Sequence, residues 1–238
     1  MDSEPLSADE RSVLNGLASE LGRVFGARLR SVVAYGLDAP ATPRVLHALA
    51  LVDRLAFEDL VKCLPYVPNW QRRSLAVPLI LEFEEFLRTL DVFPLEYGDI
   101  IAHHVIISGT SPFVTARVAP ADRRRACELS AKSHLIHLRE GFLESGGHPD
   151  AVTRLIAASA PAFVALLRNI ALLADDDPSD LAGTAERQIR IPADLVREVI
   201  STAAGTRSAI ADPTALLSRY ISAAERIWEY VDMWRAHA

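Results

Sequence analysis

The eight residues 45–52 form an almost wholly apolar run, and this run constrains the fold more than any other stretch of the chain. A strand exposed on one face alternates apolar and polar residues, whereas a strand buried on both faces does not alternate. The run therefore predicts a central strand in a sheet that helices cover on both faces. Residues 29–35 predict a second strand, because they are rich in β-branched side chains and stop at Gly36.

Further elements surround these two strands in the first half of the chain. Residues 7–25 predict a helix, with Ser7 as N-cap and Glu10 completing a capping box. A third strand is predicted at 78–83, followed by a short helix at 84–90. Pro94 and Gly98 interrupt residues 93–109, which predicts extended or turn-rich chain before a strand at 104–107.

After Pro120 the pattern becomes helical throughout. Helices are predicted at 123–144, 150–173, 192–204 and 213–234, with Asp122 and Asp212 as N-caps of the first and last. Short polar loops join them, as in a helical bundle. We therefore expect an α/β domain at 1–115 and a bundle at 116–238. The apolar stripe of the last helix must be covered, either by this bundle or by a second copy of the chain in a homodimer.

Composition excludes several classes of protein. The 238 residues carry a formal net charge of −6, which argues against broad nucleic-acid binding. The N-terminus lacks the pattern of a signal peptide, and no uninterrupted apolar run approaches the ~18 residues of a membrane span. These features predict a cytoplasmic protein without a membrane partner. Cys63 and Cys127 stand apart in the sequence and are expected to be free thiols, not disulfide partners or zinc ligands.

The order and spacing of residues 32–36, 45–52 and 78–81 resemble three strands of the nucleotidyltransferase family. The similarity is to the branch that contains aminoglycoside nucleotidyltransferases and minimal nucleotidyltransferases, and it covers roughly residues 13–173. It implies an α/β (α+β) fold, with a nucleotidyltransferase-like mixed sheet, flanking helices and a C-terminal helical bundle.

The resemblance also implies where a site would lie. Family members carry a Gly-Ser turn that approaches the nucleotide phosphates, an Asp-x-Asp strand, and a third carboxylate that completes a magnesium site. Gly36 and Leu37 match the Gly-Ser turn and would line the nucleotide site. Val45 and His47 occupy the two Asp positions, and the third carboxylate falls on apolar residues around 79–81. The sequence therefore predicts a degenerate catalytic site with no metal ligand.

Other polar residues are candidate replacements for the missing carboxylates. Asp38 and Asp53 lie at loop ends, and Glu82 is a candidate displaced third ligand. The neighbouring His103 and His104 would point to opposite faces of a strand. His134 and His137 share a helix face without a third ligand, which favours packing. Glu96 and Asp99 are candidates for lining a pocket, with capping or ion pairing as the alternative.

Three functions follow as hypotheses. The first is a catalytically inactive nucleotidyltransferase-like module that binds a small molecule or a protein and needs no cofactor. The second is an active enzyme with a non-standard site, which would use Mg²⁺ to transfer a nucleoside monophosphate from a nucleoside triphosphate to a small molecule or a protein. The third is a structural or regulatory partner protein.

Overall fold

The computed structural model describes residues 6–37, 44–205 and 210–235. The chain divides into two compact units, 1–118 and 119–238. A four-stranded sheet with flanking helices forms the first unit, and the described residues of the second unit are helical apart from their connections.

The sheet is mixed, as the sequence predicts. Its strands are β1 (Leu29–Tyr35), β2 (His47–Val52), β3 (Leu79–Glu82) and β4 (His104–Gly109), in the spatial order β3-β2-β1-β4. β1 runs antiparallel to both β2 and β4, and β2 runs parallel to β3. The interior strands are thus β1 and β2, the two that the sequence identifies most clearly.

Helices cover both faces of this sheet. The helices of the first unit are α1 (Ala8–Phe25), α2 (Phe57–Cys63), α3 (Val67–Arg72), α4 (Phe83–Arg88) and α5 (Pro94–Ala102). Side chains of α1 and Trp70 of α3 share one core with Ala48 and Ala50. Leu49 and Leu51 point to the other face and pack with Phe86 of α4 and with α5. This two-sided burial explains why β2 lacks alternation.

The ends of β2 differ in exposure. The residues from Ala48 to Val52 are buried, which confirms the predicted central strand. His47 is exposed and Val45 is 50% exposed, so the strand begins two residues later than the apolar run. Val45 and His47 therefore face solvent at one end of the sheet, whereas Leu46 between them is buried.

The extended chain predicted at 93–103 is wrong, because residues Pro94–Ala102 form helix α5. Pro94 occupies the first turn, where a missing N–H costs nothing and the fixed φ favours a helix. Gly98 lies buried inside the helix, so neither residue breaks it. The predicted strand that follows is confirmed as β4 and extends to Gly109.

The second unit contains five helices in its described residues: α6 (Pro120–Glu144), α7 (Pro149–Leu173), α8 (Leu181–Ile189), α9 (Ala193–Ala203) and α10 (Pro213–Met233). α6 packs on α7 and α10, and α7 packs on α9. Ala119, not Asp122, is the N-cap of α6, because Pro120 provides the first helical position. Asp212 caps α10 as predicted. α8 is an addition that the sequence pattern does not predict.

The apolar stripe of α10 is buried within its own unit, at residues such as Leu217, Tyr220 and Ile227. α7 is long and apolar enough to span a membrane by length and composition, with a mean hydropathy of 1.8 over its most apolar window. Nearly half of that window is buried among the other helices. The sequence has no uninterrupted apolar run of membrane-spanning length, yet the mean hydropathy of this core helix is high.

Candidate functional site

The turn after β1 brings together two of the residues that the sequence singles out. Gly36 has φ +65°, a conformation that glycine adopts without strain. A Cβ at this position would lie 3.9 Å from Cδ2 of His47. The predicted glycine turn and the second Asp-x-Asp position are therefore neighbours at one end of the sheet, which we call the Gly36 end.

A row of three ring side chains crosses the sheet at this end. Tyr35 pairs with His47 on β2 and with His104 on β4, so all three side chains lie on the same face. The rings of Tyr35 and His47 are 5.7 Å apart, and His104 meets Phe113 edge to face at 4.7 Å. We call Tyr35, His47 and His104 the Tyr35 row.

Hydrogen bonding assigns the proton on one member of the row. Nδ1 of His104 lies 3.1 Å from the carbonyl oxygen of Ile101. Since a carbonyl only accepts, Nδ1 is the donor in this contact, which leaves Nε2 as the ring nitrogen that can meet a ligand. Burial raises the pKa of Tyr35, so its hydroxyl stays protonated and can donate. The row thus offers flat π surfaces with a donor and an acceptor.

Arg44 places a positive charge beside the same turn. Its Nη1 donates to the carbonyl oxygen of Leu37, and its Nη2 lies 2.8 Å from Oε1 of Glu10. The other oxygen of Glu10 accepts from the backbone N–H and the hydroxyl of Ser7. These hydrogen bonds, with that from the Ser7 backbone the largest cause, lower the pKa of Glu10. Both carboxylate oxygens of Glu10 are therefore engaged, one by the N-cap of α1 and the other by Arg44.

The candidate replacement carboxylates lie at the opposite end of the sheet. Because β2 and β3 are parallel, Glu82 stands beside Val52, five residues and about 16 Å along the strand from His47. Its Oε1 accepts from the backbone N–H of Leu55 at 2.8 Å. Asp53 pairs with Arg30 at this same end. The interpretation of Glu82 as a displaced third ligand is therefore wrong, and Asp53 does not serve the Gly36 end.

The residues at the Gly36 end do not fit magnesium. Over residues 6–37, 44–205 and 210–235, no group of three His, Cys, Asp or Glu side chains is placed to hold a metal ion. Magnesium prefers an octahedron of oxygen ligands, whereas this end presents Val45, His47 and Tyr35. His47 and His104 lie on β2 and β4, with Tyr35 of β1 between them. Asp38 lies outside the described residues.

The remaining candidates have structural roles. His103 ends α5 and lies 3.1 Å from Asp99, while Glu96 is exposed in the first turn of the same helix. His134 is buried and hydrogen-bonded to Tyr220 at 2.9 Å, and burial lowers its pKa to about 4. Both cysteines are buried and free. Burial is the main cause that raises their pKa values, that of Cys127 to about 12.

Comparison with known proteins supports the fold. No family model matches the sequence, and no curated protein matches it. A solved structure of the spectinomycin adenyltransferase AAD(9) from Enterococcus faecialis, determined with ATP and spectinomycin, matches with a TM-score of 0.56. The identity is 12%, and the match covers 91% of this chain and 98% of the other. The chain thus has a nucleotidyltransferase-like α/β fold followed by helices.

The sequence identified some of the residues at the Gly36 end but not others. It found Gly36 and His47 from their spacing, but not His104 or Arg44. His104 reaches the row only through the antiparallel pairing of β4 on β1, which spans about seventy residues of sequence. Arg44 stands directly before Val45, the first of the two Asp positions. A charged residue in a loop carries no pattern of its own, so nothing in the sequence assigns Arg44 to the site.

Proposed function

We propose that this chain is a nucleotidyltransferase-fold protein that does not transfer nucleotides and binds a small planar molecule at the Gly36 end. The observation that carries the proposal is the Tyr35 row, in which His47 stands where the resemblance places one of the metal-binding carboxylates. Rings favour stacking with other rings, and the hydroxyl and imidazole nitrogens favour hydrogen bonds that orient a ligand.

The change in charge at this end supports a non-catalytic role. Metal-dependent nucleotidyl transfer needs acidic side chains that hold the cations and neutralise the triphosphate. Here Glu10, the acidic partner of Arg44, is also held by the cap of α1. The solved relative contains ATP, so a nucleotide-sized ring is a sensible first probe for a related scaffold.

Ligand-observed NMR with adenosine, ATP and a panel of aromatic small molecules tests this proposal. We expect at least one probe to bind the parent and to lose its signal with Tyr35→Leu and with His47→Ala. His148→Ala is the matched control, because His148 is an exposed histidine of the second unit. If every bound probe keeps its signal in both Gly36-end variants, the planar-ligand proposal is wrong.

The same probes also test the active-enzyme hypothesis. Binding of ATP that requires Mg²⁺, with release of pyrophosphate, would establish the active enzyme instead. A structural or regulatory partner role stays a prediction, and one feature of the first unit fits it. Helix α2 exposes the apolar side chains of Phe57, Leu60 and Val61, and Leu64 directly after the helix is also exposed.

A further inference from the structure

A polar cavity lies in the first unit at the end of the sheet opposite Gly36. It has a volume of about 220 Å³ and is open to solvent. Ser31 on β1 forms part of its wall and pairs with Gly109 at the end of β4. Ser31 is four residues from Tyr35, so the cavity lies about 13 Å along the strand from the Tyr35 row.

The backbone crosses closely at this point. Gly109 has φ +83°, and a Cβ there would meet the carbonyl oxygen of Arg30 at 2.0 Å. Only glycine permits this approach. It seats the segment that follows β4 against Arg30 and Ser31, and that segment contributes three hydroxyl-bearing residues to the wall: Thr110, Ser111 and Thr115.

The buried hydroxyl of Ser31 is an independent indication that this cavity binds a ligand. Its side chain is 2% exposed, and within the described residues its Oγ has no hydrogen-bond partner. A buried hydroxyl without a partner destabilises the folded state. Such a group needs an explanation beyond packing, because alanine would fill the same space without the unmet hydrogen bond.

Arg30 supplies the charge. Its guanidinium lies over the ring of Phe83 at 4.4 Å, which fixes its orientation. Asp53 engages it through Nε alone, and the side chains of this pair are 44% and 46% exposed. An exposed pair of this kind contributes little stability. Because Asp53 contacts only Nε, the two terminal nitrogens of Arg30 can bind a ligand. A guanidinium beside hydroxyls is the donor set that recognises a tetrahedral oxyanion.

We propose that this cavity is a binding site for a phosphate-type oxyanion, either free phosphate or the phosphate group of an ester. Arg30 binds the anion as a charged donor, and the hydroxyls of Ser31 and the 110–115 segment complete its hydrogen bonds. The site is independent of the Gly36 end and of the function proposed for it.

Isothermal titration with inorganic phosphate, in a low-salt buffer without phosphate, tests the site on the full chain. We expect saturable binding by the parent, and a loss of at least about tenfold in affinity with Arg30→Gln, since a charged hydrogen bond is removed. Asp53→Asn should change affinity in the opposite direction, by roughly threefold or more, because it removes a competing negative charge. Arg72→Gln, at an exposed arginine of the same unit, is the matched control.

Ser31→Ala distinguishes a ligand site from a packing defect. We expect weaker phosphate binding without a loss of melting temperature, because the variant removes an unmet hydroxyl. Glycerol 3-phosphate as a second titrant separates the sources: tighter binding than phosphate identifies an ester, and equal or weaker binding identifies the free anion.

The absence of saturable binding by the parent, or equal affinities in parent, Arg30→Gln and Asp53→Asn, would overturn the proposal. If Arg30→Gln does not fold, Asp53→Asn decides, because its predicted effect has the opposite sign to any loss of structure.

Discussion

Among the described residues, the polar side chains at the Gly36 end are the rings of the Tyr35 row and the guanidinium of Arg44 with its partner Glu10. At the other end of the sheet, three carboxylates are held by arginines and backbone amides. Asp59 accepts two hydrogen bonds from Arg28, at 2.7 and 2.9 Å, Asp53 pairs with Arg30, and Glu82 accepts from Leu55. The first unit therefore does not lack carboxylates. These three bind loop residues and arginines at the end of the sheet opposite the one where the family resemblance expects a metal.

This contrast teaches that position along a strand decides what an acidic residue can do. β2 links the two ends, and its buried middle separates an exposed His47 from the engaged carboxylates beyond Val52. Substitutions at each end therefore have distinct expected effects.

The largest effect is expected in the middle of β2. Leu49→Asp should prevent folding, because Leu49 is fully buried and an unpaired charge there costs more than about 5 kcal/mol. His47→Asp, two residues away on the same face, should change stability by no more than about 0.5 kcal/mol, because His47 is exposed. Circular dichroism melts of the two variants check this pair. A soluble Leu49→Asp protein with the parent's melting temperature would contradict the central position of β2.

The next effect concerns acid stability at the carboxylate end. The Arg28 guanidinium, followed by the Ala56 N–H, holds the pKa of Asp59 well below its usual range. A depressed folded-state pKa contributes stability that is present above the unfolded value of about 4 and is lost as the pH falls through the folded value. Asp59→Asn should therefore lower stability at neutral pH and flatten the acid branch of the stability curve.

Urea unfolding from pH 7 down to the acid limit measures this dependence. Asp53→Asn is the control, since its exposed ion pair should contribute little. An acid branch that is unchanged by Asp59→Asn would show that the Arg28 pair does not matter for stability.

A smaller effect is expected at Glu82. Glu82→Ala removes the acceptor of the Leu55 N–H and should cost about 1 kcal/mol. Glu82→Gln keeps an acceptor oxygen and should be nearly neutral. Chemical denaturation distinguishes the two variants, and equal losses for both would indicate that charge, not the hydrogen bond, is what Glu82 provides.

The smallest effect is expected from restoring acidic residues at the Gly36 end. Val45→Asp/His47→Asp should not create nucleotidyl transfer, because Leu37 still replaces the family's serine and the third carboxylate is still missing, and such groups act as a unit. A coupled pyrophosphate assay checks this. Release by the double variant but not by the parent would mean that the rest of a catalytic site is intact.

Much of the fold could be predicted from the sequence, because its strongest elements carry local signals. β1 and the capping box of α1 lie where periodicity and capping place them. α5 could not be recognised, because Pro94 and Gly98 read as breakers until tertiary packing buries the helix. The Gly36 end was only partly predictable: Gly36 and His47 follow from spacing, whereas His104 depends on a long-range strand pairing. The engagement of Glu82 by Leu55 depends on the parallel register of β3, which no local pattern reveals.

The central claim is that the Gly36 end cannot hold a metal–nucleotide complex. Titration of the parent with ATP, once in Mg²⁺ and once in EDTA, tests it most directly. The account predicts that ATP either does not bind or binds with the same affinity in both buffers, because the described residues place no set of carboxylates beside Gly36 to share the cation. An affinity at least about tenfold higher in Mg²⁺, lost with His47→Ala but not with His148→Ala, would contradict it.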